Sequence, residues 1–301
     1  KDKDGNTLEW VSGTSPKDIV GLKSGVTYTL RETIAPAGYV ITTDDTFVIN
    51  PDGTVTYGGT KSTGKDGKTT LVVEDAKAPK LNKVEIGNGP ELDGARIEIK
   101  DSKGNVVDSW TSKSGETHTI EGLRIGETFT FVETVAPNGY DIATPTTFSI
   151  NPDGTVNPGT TGTSKDKDGN TVLLVEDVRI FEVSKRDIGT GAELPNAKIQ
   201  ILMADGVTLA TDLNGNTLEW ISDTTPKTIK GLKTGVTYIM HEVVAPTGYD
   251  IATDVTFVLN PDGTITVNGV VTQNNEVLCE DAKIVSVCFT PEVTKVMKDG
   301  A

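Results

Sequence analysis

The stretch that decides the fold is TFTFVETVAPNGY at residues 128–140, and its second half recurs as RETIAPAGY (31–39) and HEVVAPTGY (241–249). Two further tracts recur in the same order, each in three versions. They are INPDGTV (49–55 and 150–156) with LNPDGTI (259–265), and VVEDA (72–76), LVEDV (174–178) and LCEDA (278–282). Self-similarity at a period of roughly 100 residues predicts a tandem array of one domain type.

These tracts, together with Trp10, Trp110 and Trp220, divide the chain into repeats. The first repeat covers residues 1–77 and lacks the opening strands that the other two contain. The second repeat covers 78–178 and the third covers 179–282. Residues 283–301 are interpreted as a linker followed by a candidate opening strand of a further domain. We therefore expect the chain to be a segment of a longer array.

Each repeat is predicted to consist of short β-strands. Runs rich in Val, Ile, Thr, Tyr and Phe are interrupted about every 8–12 residues by Gly, Pro, Asn and Asp clusters. The NPDGT tract places proline and glycine where a tight hairpin turn needs them. The sequence therefore predicts an all-β fold of tandem immunoglobulin-like β-sandwich domains, arranged as an elongated array.

Composition and charge exclude several classes of protein. The 301 residues include 43 acidic and 28 basic side chains, for a net charge of −15, so a nucleic-acid backbone would be repelled. The sequence has no run of about 18 apolar residues, which predicts no membrane span in this fragment. It also contains no charged-then-apolar leader, so no signal peptide is expected within it.

Cysteine and histidine give little sign of a metal site. Two cysteines, Cys279 and Cys288, are too few for a disulfide scaffold, and Cys279 is interpreted as a small buried side chain. Whether the two cysteines pair is left open. His118 and His241 have no counterpart in the other repeats. No metal or cofactor is therefore predicted.

Four acidic loops resemble calcium-binding loops only faintly. They lack the glutamate that a full loop supplies at its twelfth position. Hairpin turns are the favoured interpretation. The loops are DKDGN (2–6 and 166–170), DSKGN (101–105) and DLNGN (212–216).

A glutamate is predicted to point into the core of every repeat. Side chains alternate along a strand, so Glu133 should share a face with Phe129, Phe131 and Val135. A lone buried carboxylate is costly unless it is paired or protonated. Three repeats that tolerate this cost suggest that the carboxylate has a use. The equivalent glutamates are Glu32 and Glu242.

The last and first strands supply partners for these glutamates. An aspartate ends each last strand on its apolar face, and a lysine lies on the apolar face of the opening strand in two repeats. The aspartates are Asp75, Asp177 and Asp281, and the lysines are Lys83 and Lys185. Two interpretations stay open at this point. The cluster is either a buried ion network or a reactive site, in which burial yields a neutral amine that attacks the aspartyl carboxyl while glutamate relays the proton.

The pattern Tyr/Phe-x-x-x-Glu-x-x-Ala-Pro-x-Gly-Tyr, with its lysine-bearing opening strand and terminal Asp, resembles the Cna B-type domain. Such domains build stalks and pilins on Gram-positive bacteria. The resemblance implies self-catalysed isopeptide bonds, Lys83–Asp177 promoted by Glu133 and Lys185–Asp281 promoted by Glu242, with water as the leaving group. In the first repeat Glu32 and Asp75 match, but the lysine position precedes residue 1.

The resemblance also implies a function and a location. We expect a structural stalk or backbone module of an adhesin or pilus at the cell surface or cell wall, with neighbouring repeats as its partners. A domain that binds a host matrix protein is the alternative. A two-carboxylate hydrolase is disfavoured because the carboxylates are predicted to be buried rather than to line a cleft. Finally, Lys295 of one molecule could join Asp75 of another in a head-to-tail polymer.

Overall fold

The computed structural model describes residues 4–63 and 67–285. The chain divides into two compact units, and all of their regular elements within these ranges are strands. Unit 1 comprises Lys1–Pro137 and Asp141–Val178, and unit 2 comprises Asn138–Tyr140 and Arg179–Ala301. The described residues contain no helix long and apolar enough to cross a bilayer. The all-β prediction is confirmed.

Within its described residues, unit 1 contains fourteen strands, which belong to the first and second repeats. In the first repeat they are β1 (Thr27–Leu30), β2 (Asp45–Ile49), β3 (Val55–Tyr57), β4 (Lys61–Thr63) and β5 (Thr69–Leu71). In the second repeat they are β6 (Lys80–Glu85), β7 (Arg96–Lys100), β8 (Val106–Thr111), β9 (His118–Thr119), β10 (Thr128–Val135), β11 (Thr146–Ile150), β12 (Val156–Asn157), β13 (Gly162–Lys165) and β14 (Thr171–Asp177).

Unit 2 contains the strands of the third repeat. They are β15 (Ile180–Asp187), β16 (Lys198–Met203), β17 (Glu219–Ile221), β18 (Lys227–Lys230), β19 (Thr237–Val244), β20 (Val255–Leu259), β21 (Ile265–Val267), β22 (Val270–Thr272) and β23 (Glu276–Asp281).

The second and third repeats each consist of two sheets with an apolar core between them. In the second repeat the strand orders are β12-β11-β10-β7-β8 and β13-β14-β6-β9. In the third they are β17-β16-β19-β20-β21-β22 and β18-β15-β23. Stacked phenylalanines lie in the core of the second repeat, where the ring centroids of Phe131 and Phe148 are 4.6 Å apart. Phe257 and Met240 belong to the core of the third repeat.

In both of these repeats the opening strand lies parallel to the last strand. Strand β14 pairs with β6 and places Val175 opposite Lys83. Strand β23 pairs with β15 in the equivalent register and places Cys279 opposite Lys185. The two ends of each repeat are therefore hydrogen-bonded neighbours, although almost a whole domain separates them in the sequence.

The first repeat is an open sandwich. It forms the sheets β1-β2-β3 and β4-β5, and β5 has only β4 as a neighbour among the described strands. Some of its apolar side chains are exposed as a result. Ile19 is 37% exposed, whereas its counterpart Ile229 is 2% exposed, and Val73 is 41% exposed against 4% for Val175.

The predicted turns are confirmed. The Asn50 backbone N–H donates to the Thr54 carbonyl over 2.8 Å, and Gly53 between them has φ of 83°. Part of the acidic loop at 2–6 lies outside the described residues, and the other three acidic loops are turns as well. In each, the leading aspartate accepts hydrogen bonds from the backbone two and four residues onward, and these aspartates are Asp101, Asp166 and Asp212.

The predicted alternation around the glutamates is wrong on their C-terminal side. Val135, which was expected on the buried face, is 51% exposed, and the equivalent residues Val244 and Ile34 are 51% and 83% exposed. The pairing of β10 with β7 shifts register between Glu133 and Val135. Because such a bulge inserts one residue, it reverses the face of the side chains that follow.

The tryptophans do pack against the sandwiches where the sandwich is complete. Trp110 lies against the core of the second repeat and Trp220 against that of the third. Trp10 is 39% exposed, because the described residues of the first repeat include no opening strand to cover it.

Candidate functional site

The structure brings Lys83, Glu133 and Asp177 together between the sheets of the second repeat. Lys83 and Asp177 come from the paired strands β6 and β14, and Glu133 projects from β10 in the opposite sheet. The Lys83 Nζ lies 2.9 Å from Glu133 Oε1 and forms a closer ion pair with Asp177 Oδ1. All three side chains are fully shielded from solvent.

The third repeat builds the same cluster from Lys185, Glu242 and Asp281. The Lys185 Nζ lies 2.9 Å from Glu242 Oε1 and is paired still more closely with Asp281 Oδ1. These side chains are at most 1% exposed. The two clusters thus place the candidate amine against the candidate carboxyl, with the glutamate carboxylate close to both.

A backbone N–H that sequence reasoning missed fixes each glutamate. Glu133 Oε2 accepts a hydrogen bond of 2.7 Å from Ala143 N, and Glu242 Oε2 accepts one of 2.7 Å from Ala252 N. In the first repeat Thr42 N donates to Glu32 Oε2 over 2.9 Å. The donor lies ten residues after the glutamate in every repeat, and this constant spacing is the sequence signal that could have revealed it.

Burial dominates the electrostatics of both clusters. It raises the pKa of Asp177 to about 7 and that of Asp281 to about 6, and the neighbouring glutamate adds to the rise. The lysine opposes the rise in each case. Asp177 Oδ2 and Asp281 Oδ2 also lack a hydrogen-bond donor among the described residues. The neutral carboxylic acid is therefore accessible near neutral pH.

Cys279 distinguishes the third cluster from the second. It is 2% exposed, as predicted, and Lys185 Nζ donates a hydrogen bond of 3.3 Å to its Sγ. Ligand atoms of Cys279, Glu242 and Asp281 all lie within 4.8 Å of one another, a spacing that suits a metal ion. The Lys185 ammonium, however, is already in contact with all three groups. Cys288 lies outside the described residues.

The first repeat brings together only the two carboxyl groups. Glu32 and Asp75 are half-buried, and burial raises the pKa of Glu32 more than the neighbouring Asp75 does. For Asp75 burial alone raises the pKa, while its hydrogen bond with Glu32 lowers it. In the described part of the chain no lysine forms an ion pair with either group, and Asp75 Oδ1 lacks a hydrogen bond. Lys295 lies outside the described residues.

The histidines occupy separate polar pairs. His118 Nε2 lies 2.8 Å from Asp108 Oδ2, and its ring stacks on Trp110. His241 Nδ1 lies 2.7 Å from Asp254 Oδ1. Neither histidine contacts a cluster through these bonds.

The structure defines a class of protein built from repeated all-β sandwich domains with a buried lysine, glutamate and aspartate. A comparison with family models identifies the family. The SpaA family, described as a prealbumin-like fold domain, matches residues 1–70, 77–163 and 179–273. Because these matches cover well over half of the sequence, the chain belongs to this family. The resemblance to Cna B-type repeats is thereby confirmed.

Solved structures give more distant likenesses. The shaft pilin SpaA from Lactobacillus rhamnosus GG is 16% identical, with 69% of this chain and 98% of that chain covered and a TM-score of 0.28. A C-terminal fragment of the pilus adhesin SpaC from the same bacterium is 14% identical, with 71% and 100% covered and a TM-score of 0.28. No curated protein sequence matches the chain. Since the identities and TM-scores are low, the family match alone carries the identification.

Proposed function

We propose that the chain is a structural shaft module of a pilus or adhesin on the surface of a Gram-positive bacterium. It has no external substrate, and isopeptide bonds Lys83–Asp177 and Lys185–Asp281 stabilise its second and third repeats. The observation that carries the proposal is the Lys83–Glu133–Asp177 cluster, which is sealed from solvent and recurs in the third repeat. The family match supports the assignment.

The proposed reaction is a single condensation in each repeat. A proton passes from the Lys83 ammonium to the Asp177 carboxylate, with Glu133 as the relay. The neutral amine then attacks Cγ of the protonated Asp177. Glu133 returns the amine proton to the departing hydroxyl, the carbon–oxygen bond breaks, and one water leaves as the amide forms. Contact between the reactants supplies the large effective molarity that this condensation needs.

The bond would fasten the first strand of a repeat to its last strand. It would close a loop of about 95 residues, and loop-entropy arguments made for disulfides give roughly 4–5 kcal/mol for such a loop. The mechanical effect of the bond matters more than this stabilisation. Tension that enters through β6 and leaves through β14 would pass through the amide and bypass the hairpins between them.

Glutamate variants test this proposal. Glu133→Ala should leave the second repeat unlinked, so the chain gains the mass of one water, while Glu242→Ala should do the same for the third repeat only. Each variant is the control for the other, because the unchanged repeat reports on folding and on cross-linking in the same molecule. Peptide mapping that finds both amides intact in either variant would contradict the assigned role of glutamate.

The open first repeat supports a narrower proposal about partners. Its exposed Ile19 and Val73 and its unpaired β5 edge fit a β-strand that carries a lysine to Glu32 and Asp75. The tract EVTK at 292–295 matches EVSK at 182–185, which contains Lys185. The tail of a second molecule would then dock on β5 and join Lys295 to Asp75, in a head-to-tail polymer.

Denaturing electrophoresis tests the polymer. The unchanged chain should give a covalent ladder that grows with protein concentration, and both Lys295→Ala and Asp75→Ala should abolish it. Lys298→Ala provides a control in the same tail. A ladder that persists in the Lys295→Ala variant would refute the polymer without touching the bonds inside the second and third repeats. Host matrix binding stays a prediction from sequence.

A further inference from the structure

The two complete clusters differ at one position beside the lysine. In the second repeat Val175 lies opposite Lys83 in the parallel pairing of β6 with β14. In the third repeat Cys279 takes this place opposite Lys185. The glutamate, the aspartate and their backbone contacts are otherwise equivalent, so the chain contains a natural comparison of a thiol with an isopropyl group.

The thiol changes how completely the ammonium is satisfied. An ammonium has three N–H donors. Lys185 Nζ has three acceptors within reach, namely Glu242 Oε1 at 2.9 Å, Cys279 Sγ at 3.3 Å and the closely paired Asp281 Oδ1. Lys83 Nζ forms ion pairs only with Glu133 and Asp177 among the described residues, and the Val175 side chain offers no third acceptor.

We infer that Cys279 delays cross-linking of the third repeat by stabilising the ammonium of Lys185, so that the second repeat is linked first. This inference rests on the proposed function, since it concerns the rate of the same condensation. Cys279 acts here as a positioning residue. It does not take part in the bond, and its effect reaches the reaction only through the lysine.

The direction of the effect on the rate follows from which protonation state of the lysine–aspartate pair reacts. Condensation needs the neutral amine beside the neutral acid, whereas the resting form is the ion pair with the same number of protons. Every acceptor that binds the ammonium favours the ion pair and reduces the reactive fraction. A third acceptor on Lys185 therefore slows the third repeat relative to the second.

The electrostatics of the two clusters agree with this direction. Burial lowers the pKa of Lys185, but Asp281, Cys279 and Glu242 together raise it above its ordinary value. The groups that face the pair are Glu242 from β19, Asp281 and Cys279 from β23, and the nearby Tyr249. Asp281, with a pKa of about 6 against about 7 for Asp177, is also the less readily protonated aspartate; burial is the largest cause of both values, so this difference adds to the effect of the cysteine.

Exchanging the two residues tests the inference. Unlinked chain is kept unfolded in urea, refolded by dilution, and quenched at intervals, and mass spectrometry of proteolytic fragments then follows the loss of water in each repeat. At about pH 8 the second repeat should link roughly twofold to tenfold faster, the range that corresponds to one net hydrogen bond to the ammonium. Cys279→Val should bring the third repeat towards the rate of the second, and Val175→Cys should slow the second repeat.

A pH profile separates this role from a packing effect. In alkaline solution, where the lysine amines lose their proton, stabilisation of an ammonium no longer affects the reactive fraction. The rate change caused by each exchange should therefore shrink in base. A packing defect would slow the third repeat equally at every pH. Cys279→Ala, which also removes the acceptor, repeats the test should valine hinder folding.

Each outcome distinguishes the inference about Cys279 from the proposed function on which it rests. Rates that follow the cysteine in both exchanges support the inference. Amides that form in both repeats at rates indifferent to the exchanges overturn it and leave the proposed function standing. If neither repeat loses water, the proposed function fails and the inference fails with it.

Discussion

The residues of each cluster are energetically unfavourable as long as they remain charged. Burying Lys83 with Glu133 and Asp177 removes all three charges from water, and mutual attraction offsets that penalty only in part. An amide between Lys83 and Asp177 would remove two of the three charges. The same burial that makes the cluster costly as an ion network therefore favours condensation.

At this scale the rate of bond formation should depend on pH. The cluster in the second repeat must lose one proton from its fully protonated form before the reactive pair exists, and Asp177 has a pKa of about 7. Because Asp177 becomes protonated while Lys83 stays charged, the rate should fall about tenfold for each unit that the pH drops below this value. Refolding from urea across a pH series, with water loss followed by mass spectrometry, measures it.

The third repeat provides the control within the same sample. Asp281 has a pKa of about 6, so its rate should begin to fall about one unit lower. Identical profiles in the two repeats, or rates that rise as the medium becomes acidic, would count against protonation of the aspartates as the origin of the effect.

Among the elements, the segment that leads into β15 is held in place by the hydrogen bonds of one buried arginine. The Arg179 side chain, 1% exposed, donates through Nη1 to Asn275 Oδ1 over 2.9 Å and through Nη2 to the Gly263 carbonyl over 2.9 Å. It also donates to the Gly139 carbonyl. Gly139 has no room for a side chain here, because an added Cβ would lie 2.1 Å from Arg179 Nη1.

Arg179→Met should destabilise the third repeat. The substitution retains much of the apolar length but leaves buried carbonyls without donors, at about 1–3 kcal/mol for each. Urea unfolding followed by Trp220 fluorescence measures the loss. Arg186→Met is the control, since Arg186 pairs with Glu193 and Glu276 nearer the surface, where such pairs contribute about 1 kcal/mol or less. Equal losses in the two variants would contradict the role of Arg179.

The strands and the reactive side chains could be predicted from sequence because both follow from the period of two along a strand. That period places Glu133 and Asp177 in the core without knowledge of pairing. It fails at Val135, because a bulge between strands leaves no mark in a single strand's alternation. The contact of Lys185 with Cys279 was also missed, since it needs the parallel register of β15 with β23. Register between distant strands is set by tertiary packing.

At the scale of the whole molecule, the account predicts how the repeats respond to force. A linked repeat should transmit tension without unfolding between its lysine and its aspartate. In single-molecule stretching the second and third repeats should therefore give no unfolding step. Glu133→Ala should restore a step in the second repeat, with about 3.3–3.6 Å released for each residue between Lys83 and Asp177. An unfolding step from the second repeat of the unchanged chain would contradict the proposed force path.

The intact mass of the purified, denatured chain tests the central claim most directly. The account predicts a mass lower than that of the sequence by two waters, one from Lys83–Asp177 and one from Lys185–Asp281, with peptide mapping to assign the partners. A third missing water would be expected only where the first repeat also finds a lysine. A mass equal to that of the sequence, in protein that has folded, would contradict the claim and leave the two clusters as buried ion networks.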